Sequence, residues 1–412
     1  MSAHFRGRTP AAPSRTALVE FSLAVGGFGI GAGEFAIMGL LPNVAGGVGV
    51  STPTAGHVIS AYALGVVVGA PIITVLFARL PRRTLLLALM AVFALGNFAS
   101  ASAPGYASLM ALRFMTGLPH GAYFGVAALV AAEMAGPGKR AQAVGRVMLG
   151  LTVATLIGAP LATSIGQGLG WRTAFALVGA IGALTVALVA LFVPHDPADV
   201  EASPMRELGA FRRPQVWLAL GVGAIGSGGL FAIFSYITPT LTEVAGVPLH
   251  LVPFALCAFG AGMIAGNIVG GWLADRALMP TIGGGLIWNG AMMGLFYFTS
   301  GHAVLAVINV FLIGTAFVLV PGVQTRLMDV AGDAQTLAAA LNHSAFNIAN
   351  ALGAYVGGLA ISAGYGWRST SLVGVGFALA GFAIFCVSLA LDAARRSATR
   401  RPRLRMPSEQ ES

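Results

Sequence analysis

Charge is what this chain has least of. Only 9% of its 412 residues are Asp, Glu, Lys or Arg, against 57% hydrophobic residues, and the mean hydropathy is +0.84. That balance excludes an ordinary soluble protein. Lysine is nearly missing, with Lys139 its single representative. The two cysteines, Cys257 and Cys386, fall in different hydrophobic segments, which excludes a disulfide framework. There is no His-Glu-x-x-His spacing, no nucleophile elbow and no phosphate-binding loop with its lysine, so no enzyme and no metal site are expected. No connection between apolar stretches has room for a soluble output domain, which weighs against a membrane sensor. The first apolar stretch is long and has no convincing cleavage site, so a removed signal peptide is not expected.

What the chain does have is long apolar stretches. Twelve reach the roughly 17 residues needed to cross a hydrocarbon core: 17–41, 54–78, 84–103, 106–131, 141–167, 173–193, 215–240, 251–274, 279–299, 302–328, 335–362 and 369–391. The second six repeat the first. At an offset of 197, Pro42 falls on Pro239, Gly49 on Gly246, Gly65 on Gly262, Gly69 on Gly266, Arg79 on Arg276 and Gly117 on Gly314. At 196, Gly170-Trp171-Arg172 falls on Gly366-Trp367-Arg368. Small residues and helix ends persist while other side chains diverge, the mark of a duplicated backbone whose helices pack closely in lipid. The expected fold is an all-α integral membrane protein of twelve transmembrane helices in two pseudo-symmetric six-helix bundles, 17–193 and 215–391. Two facing bundles suit alternating access around a central site.

The placement of cations explains the net charge of +9 without nucleic acid. Of the 23 cations, 20 lie before the first stretch, in the even-numbered connections or in the tail; Arg113, Arg172 and Arg368 are the exceptions. The positive-inside rule then predicts both termini in the cytoplasm. An N-terminal tail (1–16), a linker (194–214) and a basic tail (392–412) would share that side, the last lying against anionic lipid.

Deep charges are few, so each is informative. Glu34 lies about seven residues, or roughly 10 Å, from the outer end of the first stretch. Arg113 sits at a similar depth in the fourth. His120 follows seven residues later on the same helix face, with Gly117 between them. Two readings compete: a structural Glu34–Arg113 ion pair with a core histidine, or a titrating cluster in which Glu34 exchanges a proton. Intramembrane acids usually mark ion pathways, which favours the second. The second half has Phe231 where the first has Glu34. Its polar groups are neutral: Tyr236, Asn309, and His343, Asn347 and Asn350 at i, i+4 and i+7. These are candidate substrate-cavity residues, shared between helix adhesion and contact with a neutral polar solute.

These residues resemble the major facilitator superfamily, in particular its twelve-helix drug:proton antiporters and, among them, bacterial chloramphenicol-efflux and arabinose-efflux-like permeases. Gly33-Glu34-Phe35 with Gly39-Leu40-Leu41-Pro42 is similar to that subgroup's first-helix signature. Leu109 to Gly121, with Arg113 and Gly117, resembles the fourth-helix motif, whose arginine is linked to proton coupling. Gly158-Ala159-Pro160 with Gly166 resembles the fifth-helix antiporter motif, in a loose form with Ala159 in place of a glycine. The superfamily's loop after helix two departs further: Ala78-Arg79 and Pro81-Arg82-Arg83 lack its acid, while Ala274-Asp275-Arg276 in the second half keeps it. The resemblance implies gating by Asp275 at the N-terminal end of helix five, and by Arg79, Arg82 and Arg83 against Glu133 or carbonyls ending a helix.

The implied function is a secondary transporter of the bacterial cytoplasmic membrane, exporting small amphipathic or neutral polar compounds, such as an antibiotic or a sugar, in exchange for protons. Its partners would be the substrate, protons and the lipid bilayer. It would need no cofactor beyond the proton gradient, and a monomer is expected. A symporter or facilitator of a nutrient is the alternative on the same fold.

Overall fold

The structure, a computed structural model, describes residues 13–77, 79–135, 140–195, 209–331 and 335–400. Ala78, Lys139, Arg206 and the chain's two ends lie outside them, so the tail and linker expectations at those residues are not addressed. Among the described residues, eleven helices are long and apolar enough to cross a membrane: α1 Arg15–Gly39, α2 Thr52–Thr74, α3 Arg82–Ala101, α4 Tyr106–Ala135, α5 Ala143–Leu169, α6 Trp171–Phe192, α7 Pro214–Ser235, α8 Leu249–Arg276, α10 Ala303–Ala331, α11 Leu341–Tyr365 and α12 Ser369–Ala394. The twelfth expected span is present as helix α9, Leu278–Thr299, but it is not among the eleven. Gly283, Gly284 and Gly285 together with Asn289 and Tyr297 dilute its apolar character. Outward-facing apolar side chains such as Leu76, 69% exposed, and Phe298, 76% exposed, suit contact with lipid rather than water. The chain is a multi-pass membrane protein.

Packing repeats along with the sequence. Helix α2 lies on α4 as α8 lies on α10, α3 on α6 as α9 on α12, and α1 on α5 as α7 on α11. The shared glycines show why. A Cβ on Gly65 would sit 2.1 Å from the Phe114 carbonyl oxygen, and one on Gly262 2.1 Å from that of Phe311. Backbones this close tolerate only hydrogen at those positions. Gly49 and Gly246 both close a helical segment with φ of 70°, the left-handed region that favours glycine.

Two ends are distinguishable. The basic end carries Arg79, Arg82, Arg83, Arg212, Arg213 and Arg276; the far end carries the turns at Gly49, Gly170, Gly246 and Gly366. Toward the far end a single apolar cluster crosses both halves, bringing Phe35, Met38 and Leu41 together with Phe234, Leu256 and Phe259. Toward the basic end the apolar clusters stay within one half, around Leu23 and Phe124 in the first, and around Val216 and Leu327 or Ile282 and Phe385 in the second. The halves are therefore sealed against each other at the far end.

Candidate functional site

Helix α1 brings Glu34 to the boundary between the halves. The residue is 6% exposed. One carboxylate oxygen, Oε1, accepts a hydrogen bond from Nδ2 of Asn350 on α11 at 3.1 Å. The other, Oε2, lies 4.0 Å from Nδ1 of His120 on α4. That nitrogen in turn hydrogen-bonds the hydroxyl of Tyr62, on α2, at 3.1 Å. Past His120 the path continues into the second half, with its ring 6.4 Å from that of His343. His343 stacks on Phe124 at 5.5 Å.

The Glu34–Arg113 ion pair of the structural reading is not formed among the described residues. Arg113 is fully buried, and its Nη2 donates to the carbonyl of Gly33 at 3.2 Å, one residue short of the acid. The guanidinium lies over the Tyr62 ring at 4.2 Å and the Phe175 ring at 5.4 Å. Its Nε and Nη1 have no hydrogen-bond partner. The reason is local: α4 meets α2 at backbone level, where a Cβ on Gly117 would lie 2.1 Å from the Tyr62 carbonyl oxygen, and the Tyr62 ring lies against the guanidinium. Arg113 thus supplies positive potential near Glu34 without neutralising it by contact. Tyr62 is the residue that helix patterning missed. It is one aromatic among many in an apolar helix, and only the α2–α4 contact reveals its place.

The candidate cavity residues separate into three groups. Asn350 joins Glu34, and His343 joins His120. Asn347 is buried, donates to the His343 carbonyl at 3.0 Å on its own helix and leaves its Oδ1 unpartnered. Two others bond outside the Glu34 cluster. Asn309 bonds Thr299 Oγ1 at 2.9 Å, which pins α10 to α9 within the second half. Tyr236 is a lock at the far end: its hydroxyl donates to the Ala354 carbonyl at 2.7 Å and reaches Pro53 of the other half at 3.5 Å. Gly56 and Gly358 make room for it, since a Cβ on either would stand 2.1 or 2.4 Å from that hydroxyl. Thr238 adds a bond to the Gly39 carbonyl at 3.0 Å, and Ser60 one to the Ala351 carbonyl at 3.0 Å. In the second half Phe231, at the place matching Glu34, borders a cavity of about 10 Å³ with Ser227 and Asn289. The volume suits about one water, and both polar residues have a buried oxygen without a partner.

The gating candidates lie at the basic end. Arg82 pairs with Glu133, and Arg83 bonds His195 and the Ala190 carbonyl. Arg79 is exposed. Arg276 folds back over its own Trp272 ring at 3.7 Å. Asp275 is exposed and makes no hydrogen bond or ion pair among the described residues. Glu20 is held by both Nε and Nη2 of Arg146 at 2.5 and 2.8 Å, a structural pair. Gly158 and Pro160 flank the end of a widened, π-type turn at Ala154–Gly158. Such turns absorb the backbone bond that a proline removes. The turn faces the second half: a Cβ on Gly260 of α8 would lie 2.8 Å from Leu156 Cα.

Known proteins share this sequence and fold. The profile of the Major Facilitator Superfamily matches residues 23–336 and 258–406. The Escherichia coli K12 inner membrane transport protein YdhP is 41% identical over 367 residues, covering 89% of this chain and 94% of that protein. A chloramphenicol resistance protein of Streptomyces lividans is 32% identical over 376 residues, covering 87% and 94%. Among solved structures, the nucleoside transporter NupG superposes with a TM-score of 0.71 at 13% identity, covering 90% of this chain and 99% of that one. With its family profile, its full-length relatives and its repeated helical architecture in agreement, the chain belongs to the Major Facilitator Superfamily of membrane transporters.

Proposed function

We propose that this transporter is a proton-coupled exporter, expelling small amphipathic or neutral polar compounds from a bacterial cytoplasm by antiport. In this reading all twelve helices cross the inner membrane and both termini are cytoplasmic. The observation that carries it is Glu34, an acid buried at the junction of the halves with a neutral amide, not an ion partner, against it. A carboxylate kept for structure alone would be costly there, because desolvation is offset only by close pairing. With the basic end cytoplasmic, the far-end contacts keep the outer side shut. The relatives named for inner membrane transport and chloramphenicol resistance support the location and the compound class.

Purified protein in proteoliposomes tests the reading. An imposed proton gradient should drive chloramphenicol in the direction opposite to proton flow, and a protonophore should stop it. Movement with the protons would replace antiport by symport, and flux indifferent to the gradient would replace it by facilitation.

Arg113→Ala should lower the antiport rate roughly tenfold or more, the scale of one lost charge-assisted hydrogen bond of about 1.5–3 kcal/mol. Initial rates normalised to folded protein measure it, and a rate equal to wild type would reduce Arg113 to packing. Asp275→Asn should favour the inward-open population by about 1 kcal/mol, because a charge that docks at the start of α5 on cytoplasmic closure is gone. Crosslinking of cysteines placed at the basic ends of α5 and α8 should slow accordingly. Equal rates in both proteins would remove Asp275 from the gate.

A further inference from the structure

Asn350 carries more than its one bond to Glu34 requires. It is fully buried, its Nδ2 donates to the acid across the boundary, and its Oδ1 has no partner. It stands within a row of locks on α11: the next carbonyl, Ala351, accepts from Ser60, and that of Ala354 accepts from Tyr236. We infer that Asn350 reads the protonation of Glu34 and converts it into closure of the far end; this rests on the proton-coupling reading above.

The chemistry follows from donor and acceptor inventories. An ionised carboxylate is an acceptor only, so it satisfies the amide N–H and leaves the amide oxygen stranded. When a proton adds to Glu34 the carboxyl gains one O–H donor, and the stranded Oδ1 is the acceptor beside it. The two side chains then close a ring of two hydrogen bonds, N–H to carboxyl oxygen and O–H to amide oxygen. Protonation thus adds a bond between the halves and removes a buried charge at once. Both changes favour the far-end-sealed arrangement. For an antiporter that is the useful sign, since the proton taken up outside has to ride with the carrier as the outer side shuts.

Other groups around the acid do not offer this ring. His120 on α4 has Nδ1 engaged by Tyr62 of α2. Arg113 on α4 is turned to the Gly33 carbonyl. His343 on α11 meets the cluster through the rings of His120 and Phe124. Beside Gly33 stand Val178 of α6 and Phe93 and Asn97 of α3, none of them titratable.

Spin labels at Ser51 and His250, exposed at the far ends of the two halves, with Cys257 and Cys386 changed to Ser, report closure by distance measurement in nanodiscs. Acidification should raise the closed-to-open ratio of the wild type by at least about fivefold, the size of one net hydrogen bond. Asn350→Leu should lose that fivefold share and keep only the effect of removing the charge, as should Asn350→Ala, whose smaller side chain controls for packing damage. Glu34→Gln should hold the wild type's acid closed-to-open ratio at either pH, because its amide reproduces both bonds to Asn350. If both Asn350 variants respond to acid as the wild type does, the inference fails while Glu34 keeps its role. If Glu34→Gln responds as the wild type does, both fall.

Discussion

Glu34→Gln is expected to abolish uphill export while the protein still folds and inserts. Glutamine keeps the shape of the side chain and can still accept from Asn350 Nδ2, now 3.1 Å from Oε1. Its stability cost should therefore stay within about 1 kcal/mol, the range of a single exchanged hydrogen bond. What it loses is the exchangeable proton. With no acid of matching depth in the second half, where Phe231 stands instead, nothing else along α1 or α7 replaces it. Drug accumulation in energised cells should rise to the level of cells lacking the protein, at equal expression. Downhill exchange in proteoliposomes should persist, because substrate contact is a separate matter from coupling. Unchanged uphill export by the variant would remove Glu34 from the coupling path.

Much of the architecture was legible in the chain because membrane helices are long, apolar and self-satisfied in their hydrogen bonds. The 197-residue offset was legible because glycines at helix crossings leave no alternative: Gly65 and Gly262 each meet a carbonyl oxygen at 2.1 Å. Helix α9 marks the limit of apolar content as a signal, since Gly283, Gly285 and Asn289 face neighbouring helices and not lipid. The ionisable residues Glu34, Arg113 and His120 stood out because the membrane makes them expensive. Their partners did not. Periodicity places a side chain on a face of its own helix but is silent about which helix lies opposite. So where one reading paired Glu34 with Arg113, the partners are Asn350 on one side and the Gly33 carbonyl on the other. The partners of Tyr236 and Asn309 were hidden for the same reason. Tyr236 proves to bridge the halves at the far end and Asn309 to bind Thr299.

Gly117→Ala should be among the most damaging single-methyl changes in the protein. The new Cβ would lie 2.1 Å from the carbonyl oxygen of Tyr62 and 3.1 Å from the nitrogen of Val66. Both are backbone atoms of α2, so no rotamer relieves the clash and the helices must separate. Overpacking of this kind costs about 1–3 kcal/mol. Here the displaced segment also holds the ring beneath Arg113 at 4.2 Å and the hydroxyl on His120 at 3.1 Å. Melting temperature and transport per folded molecule should therefore fall together. Two comparisons separate the effects. Gly314→Ala, whose Cβ would stand 2.3 Å from the Phe259 carbonyl oxygen, repeats the clash in the second half and leaves the Glu34 cluster in place. It should lower stability by a similar amount and retain more transport. Gly125→Ala, on the same helix as Gly117 with no atom within 4 Å of its Cβ, should be neutral or gain up to about 1 kcal/mol from helix propensity. Thermal unfolding in detergent, alongside proteoliposome antiport normalised to folded protein, measures all three. A Gly117→Ala protein that melts with Gly125→Ala would mean that α2 and α4 do not meet at backbone distance, and the placement of Tyr62 between Arg113 and His120 would go with it.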